Sequence, residues 1–172
     1  MGIRSKAAAS VGAAAIGIAA AFVPPHEGRN LFAHFDPIGI PTICEGWTRG
    51  VKMGDVATEA ECDELTLRGL REANDIFVRW VPEWVRASMS ASAYAAFLSF
   101  IYNVGPGGKG VKDGFVYLKS GRNSTMLLRL QAGDVAGACR QLPSWASAGG
   151  KRFRGLEIRR AQEMKLCLSE LD

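Results

Sequence analysis

The sequence predicts an α+β fold, with a small antiparallel β lobe beside a larger helical lobe, a cleft between the lobes and an apolar helix at the N-terminus. Three features support this prediction. Residues 38–53 are rich in Gly, Thr, Ile and Val between turn residues, which is typical of short antiparallel strands. After residue 58, apolar residues recur at helical spacing between capping residues. Residues 7–23 carry no charge.

The uncharged N-terminal segment is long enough to cross a bilayer. Its seventeen residues, AAASVGAAAIGIAAAFV, would span about 25 Å as a helix. Arg4 and Lys6 precede it, and a positive flank predicts that the N-terminus stays in the cytoplasm while the rest of the chain enters the periplasm. We therefore expect a membrane segment at residues 1–23 and a globular domain at residues 24–172.

Three interpretations of this segment are open from the residues alone. A signal peptide cleaved after Ala21 is one, because Ala19 and Ala21 satisfy the small-x-small rule. The others are an uncleaved membrane segment and an Ala-rich helix buried in a cytoplasmic protein. Cleavage would leave Glu27 only six residues from the new N-terminus and would remove the helix expected to lead into it. The uncleaved segment is therefore favoured.

The first elements of the globular part follow from turn and capping signals. Pro24-Pro25 is expected to break any helix that continues from the apolar segment, and residues 26–33 are expected to form a helical turn. Residues 38–53 form the predicted sheet. A capping box with Thr58 as N-cap then begins a long helix that Pro82 ends.

The second half of the chain is predicted to be helical. Ser90 caps a buried helix at residues 91–104, and the glycine-rich stretch 105–108 ends it. A last helix is expected at residues 153–168. Between these two, shorter helices are expected at residues 113–119, 124–131 and 134–142.

The net charge of +4 comes from 21 basic and 17 acidic residues. Part of the basic excess is concentrated near the C-terminus, at Lys151, Arg152, Arg154, Arg159 and Arg160. Such a cluster is either a solvated helix face or a patch that attracts a polyanion, such as an acidic cell wall. No zinc-ligand set or RNA-binding signature accompanies it, so a nucleic-acid partner is not expected.

Four cysteines and two histidines limit the possible metal and thiol chemistry. The cysteines form no CxxC pair, so no metal and no cofactor is expected. In an exported protein an even count favours two disulfides, and sequence order alone permits three connectivities. We expect Cys44–Cys62, which would join the β lobe to the first long helix, and Cys139–Cys167, which would clamp the last helix to the helix before Trp145.

Two carboxylates and a hydroxyl follow the apolar segment, at Glu27, Asp36 and Thr42. Cleavage of a glycosidic bond requires a carboxylic acid that protonates the leaving oxygen and a second carboxylate on the other face of the sugar. Nine residues make two and a half helical turns, so the two carboxylates can face each other only if the chain turns between them. Residues 37–41 supply two prolines and a glycine for such a turn. The spacing alone also fits a solvated acidic pair.

Ordered sequence blocks make the assignment more specific. The blocks are GIPT at 39–42, YNVG at 102–105, STMLL at 124–128, GDVAGA at 133–138, Trp145, AGGK at 148–151, GL at 155–156 and RR at 159–160. On these blocks, from about Glu27 to the C-terminus, the chain resembles the phage lysozymes (endolysins) of glycoside hydrolase family 24. The resemblance implies a lysozyme-like fold and a muramidase that cleaves the β-1,4 bond between N-acetylmuramic acid and N-acetylglucosamine with inversion.

The resemblance also implies a role for each residue of the carboxylate pair. Glu27 is expected to be the general acid, which must hold a proton at neutral pH. Asp36 is expected to stay ionised and to position the water or stabilise the transition state. Thr42 is expected to orient the water. Three apolar neighbours would favour a protonated Glu27, namely Phe32, Phe35 and Ile38.

Further candidate substrate contacts lie in the later blocks. Asn103 ends a predicted helix, where its amide either binds a sugar or caps the helix. Lys151 and Arg152 are candidate contacts to glycan or peptide carboxylates. Trp145 either stacks on a sugar or belongs to the core.

Some phage endolysins carry a signal-arrest-release segment, and residues 7–23 are similar to these Ala- and Gly-rich segments. The expected partners are therefore peptidoglycan, and the inner membrane before release. A holin or pinholin is expected to be required without direct contact. The enzyme is expected to be a monomer, first at the inner membrane facing the periplasm and then free in the periplasm.

Two other functions are alternatives. A lytic transglycosylase needs only one acid, and the presence of Asp36 and Thr42 argues against it. A membrane-tethered wall-binding protein with an inactive lysozyme fold is the second, and the complete set of Glu27, Asp36 and Thr42 argues against that.

Overall fold

The computed structural model describes residues 3–36 and 39–170, which form an α+β arrangement of a small β lobe and a larger helical lobe. The helices are α1 (Ile3–Phe22), α2 (Pro24–Glu27), α3 (Glu59–Trp80), α4 (Glu83–Ser88), α5 (Ala91–Val104), α6 (Thr125–Gln131), α7 (Val135–Cys139) and α8 (Arg154–Leu168). The strands are β1 (Asn30–Phe35), β2 (Pro41–Cys44), β3 (Ser147–Ala148) and β4 (Lys151–Arg152), and a 3-10 turn spans Leu142–Trp145.

The apolar N-terminal segment is a helix that packs into the protein. α1 lies mainly against α3, α4 and α5. Ala15, Ala19 and Val23 are fully buried in the main core. These residues are four apart and so share one helical face, whereas Ala14 and Gly17 on the opposite face are exposed.

The helix α1 ends just before the two prolines, as predicted, and the prolines then begin a new helical turn. α1 ends at Phe22, and Pro24 and Pro25 occupy the first positions of α2. Proline is tolerated there because the first amides of a helix have no partner within the helix. The helical part ends at Glu27 and does not reach residue 33, because Gly28 turns the chain with a φ of 73°.

The β lobe is built on a hairpin that begins earlier than predicted. β1 and β2 pair antiparallel in the register Asn30–Cys44, His34–Thr42 and Phe35–Pro41, with a shift between the first two pairs. The other edge of β1 pairs with a later segment through Phe32 and Val56. Of the described strands, only β2 lies in the predicted range 38–53, and the first residue of that range lies outside the described residues.

The two predicted side-chain caps, Thr58 and Ser90, begin α3 and α5, and two further helices have caps that were not predicted. Thr58 accepts a hydrogen bond from Glu61 N, and the Glu61 carboxylate accepts one from Thr58 N, which completes the capping box of α3. Ser90 and Ser124 cap α5 and α6, and Asp134 caps α7. α5 is buried over most of its length and forms the centre of the main core.

Two of the predicted shorter helices differ from the structure. Residues 113–119 form turns, in which the Asp113 carboxylate accepts a hydrogen bond from Lys119 N at 2.6 Å. Aspartate favours such local bonds over a helix. The helix predicted at residues 134–142 ends at Cys139, ahead of the 3-10 turn that contains Pro143.

Two disulfides link the elements that the sequence analysis pairs. Cys44–Cys62 joins β2 to α3, and Cys139–Cys167 joins α7 to α8. The bridged residues are 18 and 28 positions apart. For loops of this size the chain-entropy relation gives about 3 kcal/mol of stabilisation each.

Candidate active site

Glu27 stands at the end of α2 and is held by groups from the helical lobe. Its Oε1 forms an ion pair with the Arg159 guanidinium of α8. The same oxygen lies 3.5 Å from Asn103 Nδ2, at the end of α5. Both contacts use Oε1, so among the residues that the structure describes Oε2 is the oxygen that remains for a substrate.

The surroundings of Glu27 are polar, contrary to the expectation of an apolar setting. Phe32 and Phe35 are 65% and 58% exposed, and Ile38 lies outside the described residues. Phe32 points away from the lobe interior because successive strand residues point to opposite faces, and its neighbours Leu31 and Ala33 pack inward.

A buried ionic network supports Arg159. Arg159 Nε donates to Glu163 Oε1 at 3.1 Å, and Arg159 Nη2 donates to the Ser99 carbonyl at 3.3 Å. Ser99 Oγ donates to the same Glu163 oxygen at 2.8 Å. The side chains of Arg159 and Glu163 are 4% and 0% exposed. Glu27 is therefore connected through Arg159 to the packed interface of α5 and α8.

Arg160 forms the second arm of this network and is fully buried. Its Nη2 donates to Glu163 Oε1 and to Asn103 Oδ1, each at 3.1 Å. Its Nε lies 2.9 Å from Glu163 Oε2 without hydrogen-bond geometry, and its guanidinium lies 4.9 Å from the Phe100 ring centroid. Burial lowers the pKa of Arg160 to about 10, although the Glu163 charge opposes this shift. Because Asn103 also contacts Glu27, Arg160 is linked to that carboxylate indirectly, through the Asn103 amide that it orients.

Arg159 and Arg160 therefore do not belong to a surface patch, which corrects one interpretation of the C-terminal basic cluster. The sequence signal for the network is the spacing of three and four residues between the arginines and Glu163, since residues at this spacing are neighbours on a helix. Charge alone does not distinguish such a buried pair from a solvated one.

The other candidate contacts in this region lie apart from Glu27. Lys151 and Arg152 are exposed on β4, and Arg152 pairs with Glu157 at 2.7 Å. Neither lines the cleft beside Glu27. Trp145 packs edge-on against Phe100 with ring centroids 5.1 Å apart, at the border of the main core.

Asp36 and Thr42 lie together at the turn of the hairpin, joined through the backbone of Ile40. Asp36 Oδ1 accepts a hydrogen bond from Ile40 N at 2.8 Å, and Asp36 N donates to Ile40 O at 3.0 Å. Thr42 Oγ1 donates to the same carbonyl at 2.9 Å. Thr42 is 5% exposed and pairs with His34 across the hairpin. The structure thus brings Asp36 and Thr42 together, with β1 between them and Glu27.

A cleft of about 440 Å³ lies beside Glu27, between the two lobes. Tyr102 and Asn103 line it on the helical side, and residues 45–49 line it on the side of the β lobe. Asp36 and Thr42 are not among its lining residues. A concave site with a few convergent polar groups is the usual form of a ligand-binding site.

Gly69, inside α3, leaves the space that the Tyr102 ring occupies in the wall of this cleft. A Cβ atom at Gly69 would lie 2.5 Å from Tyr102 Cε2, which is too close for any side chain. Burial, together with the negative charge of Glu27, raises the pKa of Tyr102 to about 12. The phenol is protonated at neutral pH, and its hydroxyl donates a hydrogen bond to the Glu45 carbonyl at 3.5 Å.

A buried carboxylate that the sequence analysis missed also lines the cleft. Glu45 is 3% exposed and accepts hydrogen bonds from Thr66 Oγ1 at 3.0 Å and from Arg29 Nε. Arg29 pairs in addition with Glu59 and Asp63, and these hydrogen bonds raise the pKa of Arg29 above its ordinary value. The cluster fastens the start of β1 to α3. In the sequence, Glu45 stands out only as a single glutamate between an apolar strand and a turn.

The same region contains a cluster of potential metal ligands. Within residues 3–36 and 39–170, Cys44, Glu45 and Cys62 bring three such side chains close together. Both sulfurs belong to the disulfide, and the carboxylate is already bonded to Arg29 and Thr66. These residues therefore do not form a metal-binding set.

The chain is similar in sequence to known phage proteins. The family model described as Phage lysozyme matches residues 25–163. The SAR-endolysins of Enterobacteria phages PA-2 and P21 are each 31% identical to it over 173 residues, covering 96% of this chain and 95% of the relative. The SAR-endolysin of Pseudomonas phage phiKMV is 32% identical over 159 residues, covering 90% of this chain and 89% of the relative.

Solved structures with the same fold include two phage enzymes. The active form of the P1 phage endolysin Lyz aligns with a TM-score of 0.74 at 23% identity, covering 90% of this chain and 85% of that chain. A mutant P22 lysozyme aligns with a TM-score of 0.69 at 27% identity, covering 88% and 95%. The fold of this chain is therefore lysozyme-like, as the sequence analysis predicts.

Proposed function

We propose that this chain, which belongs to the phage lysozyme family, is an endolysin that hydrolyses the β-1,4 bond between N-acetylmuramic acid and N-acetylglucosamine in peptidoglycan. The observation that carries the proposal is the position of Glu27 in the cleft wall. Arg159 and Asn103 hold one of its carboxylate oxygens, and the other is left for the glycosidic oxygen. A general acid needs this combination of a fixed carboxyl and one accessible oxygen.

The proposed reaction uses the three residues in distinct roles. Glu27 transfers a proton from Oε2 to the glycosidic oxygen, and the bond from that oxygen to the sugar C1 breaks. A water held by Thr42 attacks C1 and gives its proton to Asp36. In this route water attacks directly, so the configuration at C1 inverts, and the two carboxyl groups must stand about 6.5–9.5 Å apart with substrate bound.

The hairpin geometry supports a shared role for Asp36 and Thr42. Both side chains are fixed by the backbone of Ile40, one through its N–H and the other through its carbonyl. The hydroxyl of Thr42 donates to that carbonyl and so retains lone pairs that can accept a hydrogen bond from a water. A water between the two side chains would therefore meet an acceptor on each side.

Product analysis in ¹⁸O-labelled water tests this proposal. Digestion of purified peptidoglycan, followed at once by borohydride reduction and mass spectrometry, is expected to show one ¹⁸O atom at each new N-acetylmuramic acid end. Fragments without the label would indicate a transglycosylase. Binding to the wall without any fragments would indicate an inactive tethered protein. Either outcome would overturn the proposal.

We further propose that residues 1–23 are a signal-arrest-release segment, and that residues 24–172 are the catalytic domain in the periplasm. The helix at Ala8–Glu27 is long and apolar enough to cross a membrane, by length and composition. Three similar proteins are named SAR-endolysins. Release depends on a holin or pinholin that changes the membrane without contacting the enzyme, and the released enzyme acts as a monomer.

The tether makes the enzyme inactive for a geometric reason. Glu27 lies four residues after Val23, and four extended residues reach about 14 Å at most. While residues 7–23 cross the bilayer, Glu27 stays near the headgroups and cannot reach the wall. After release, α1 takes the packed position that the structure shows, with Val23 buried directly ahead of α2.

A further inference from the structure

The β lobe exposes an unusual share of the large apolar side chains. Of the eleven that are exposed among the described residues, five lie between residues 32 and 56. They are Phe32, Phe35, Ile40, Met53 and Val56. Single exposed apolar residues are ordinary, whereas a concentration of them marks an interaction surface.

Phe32 and Val56 form the centre of this surface. They face each other across an antiparallel bridge, flanked by hydrogen bonds from Ala33 N to Asp55 O and from Ala57 N to Leu31 O. This makes Phe32 and Val56 a non-hydrogen-bonded pair, in which the two side chains approach closely. Each is 65% exposed. The outer face of the sheet therefore carries a continuous apolar pair where a soluble sheet usually carries polar residues.

The inner face of the lobe gives it a fixed shape of its own. Leu31, Ala33 and Ala57 pack there against a small core around Ile43 and the Cys44–Cys62 disulfide. α1 packs mainly on α3, α4 and α5 rather than on this sheet. The core of the β lobe, and not α1, therefore positions the Phe32–Val56 pair. The pair is exposed whether or not α1 is packed against α3, α4 and α5.

We infer that the Phe32–Val56 pair lies on the lipid surface of the membrane while the chain is still tethered. This inference rests on the proposed tether. Phe32 follows Val23 by only nine residues, and four of these form the compact turn α2. The outer face of the sheet is therefore held close to the bilayer that α1 crosses, and aromatic side chains are favoured at the interface between membrane and water.

The acidic residues around the Phe32–Val56 pair indicate which headgroup charge the contacted lipid carries. Asp55, Glu61 and Glu64 line a shallow pocket together with Val56. These carboxylates repel anionic headgroups, so the contact is apolar and suits zwitterionic lipid. The contact ends when the chain leaves the bilayer.

Depth-dependent quenching tests the contact on the full chain. The protein is reconstituted with its N-terminal helix inserted in vesicles of brominated phosphatidylcholine. Phe32→Trp is expected to add a tryptophan signal that bromine quenches strongly. Val111→Trp, at an exposed apolar position outside the β lobe, is expected to add an unquenched signal. Equal quenching of the two added tryptophans would overturn the inference.

A functional measurement uses Phe32→Ser together with Val56→Ser. Partition of the tethered lobe onto the lipid is expected to fall by about tenfold, so the variant should leave the membrane sooner. The muramidase activity of the purified variant should equal that of the parent. Release at the parental rate would count against a lipid contact. A dimer of the released parent that the substitutions dissociate would show that a second copy covers the pair, which also overturns the inference.

These outcomes are separable from those that test the proposed function. Failure of the muramidase assay leaves the quenching result valid, because quenching needs no catalysis. A parent protein that never sediments with membranes would overturn both the tether and this contact.

Discussion

At the residue scale, the site depends on one carboxylate, Glu27, which the Arg159 guanidinium and the Asn103 amide hold in place. Glu27→Gln is expected to reduce hydrolysis of peptidoglycan by roughly 10²–10⁴-fold, because an amide cannot donate the catalytic proton. Turbidity clearing of outer-membrane-stripped cells measures this, with thermal unfolding as the check on folding. Glu64→Gln, at an exposed position of α3, is the matched control and should clear cells like the parent.

The other two members of the set are expected to differ in severity. Asp36→Asn should be nearly as damaging as Glu27→Gln, and Thr42→Ala should lose less activity or change the stereochemistry of the product. Retention by Glu27→Gln of more than about a tenth of the parental rate would contradict its assignment as the acid.

The Glu163 carboxylate gives a prediction about stability. Glu163→Gln leaves the buried Arg160 guanidinium without its counter-ion and removes one of the two carboxylates paired with Arg159, so the free energy of unfolding should fall by about 3–5 kcal/mol. The control Glu157→Gln, in an exposed ion pair of the same helix, should cost no more than about 1 kcal/mol. Urea unfolding monitored by tryptophan fluorescence measures both. Equal losses for the two variants would argue against a buried network.

The candidate site residues came from the family resemblance, because the spacing of Glu27, Asp36 and Thr42 alone also fits a solvated acidic pair. Their catalytic roles stay predictions. The polar setting of Glu27 could not be predicted, because its neighbours in sequence point outward and its real neighbours come from α5 and α8. Glu45 was missed for the same reason, since its partners Arg29 and Thr66 are distant in sequence.

At the scale of elements, the packing of α5 on α3 depends on the absence of a side chain at Gly69. Gly69→Ala should favour the helix by about 0.5–1 kcal/mol but force Tyr102 to move, which costs about 1–3 kcal/mol. The expected result is a net loss of stability and a changed cleft wall. Gly155→Ala on α8 is the control, because its Cβ would meet no heavy atom within 4 Å. If both alanine variants were as stable as the parent, the proposed contact would be wrong.

Helix caps predict how stability responds to acid. A backbone hydrogen bond from Thr58 lowers the pKa of Glu61 below 4.5, and one from Gly137 lowers the pKa of Asp134 below 3.8. A carboxylate with a lowered folded-state pKa stabilises the fold above its unfolded pKa, and this stabilisation is lost as pH falls through the folded value. The unfolding temperature should therefore fall between about pH 5 and pH 2. The double variant Glu61→Gln, Asp134→Asn should show a shallower fall, and an identical slope would contradict this account.

Capping residues in the sequence predicted where the capped helices begin. The sequence-based predictions failed where contacts between residues distant in sequence determine the local conformation. Thr58 and Ser90 were identified correctly as caps. Residues 30–33 of β1 were assigned to the end of a helical turn, whereas their pairing with β2 and Val56 makes them part of a strand. The segment at 113–119 was assigned to a helix, but the Asp113 side chain closes it as a loop.

At the scale of the whole molecule, the proposed tether requires one N-terminal sequence to suit two environments, a bilayer and the protein core. The face of α1 with Ala15, Ala19 and Val23 packs in the protein core, while the opposite face stays exposed. Ala and Gly contribute little to membrane insertion compared with Leu, so a helix made of them can leave a bilayer and still pack closely on protein. The sequence predicted the apolar segment and its length, but the partners α3, α4 and α5 are visible only in the fold.

Leucine at Ala14, Gly17 and Ala21 tests the central claim that membrane tethering controls a cell-wall hydrolase. These positions share the exposed face of α1, so leucine should strengthen insertion by about 0.3–0.6 kcal/mol each without disturbing the packed face. Serine at the same positions is the matched control. The account predicts that the leucine variant stays in the membrane fraction and fails to lyse cells, while the detergent-extracted protein hydrolyses peptidoglycan like the parent and the serine variant lyses cells early. Lysis by the leucine variant at the parental time would contradict it.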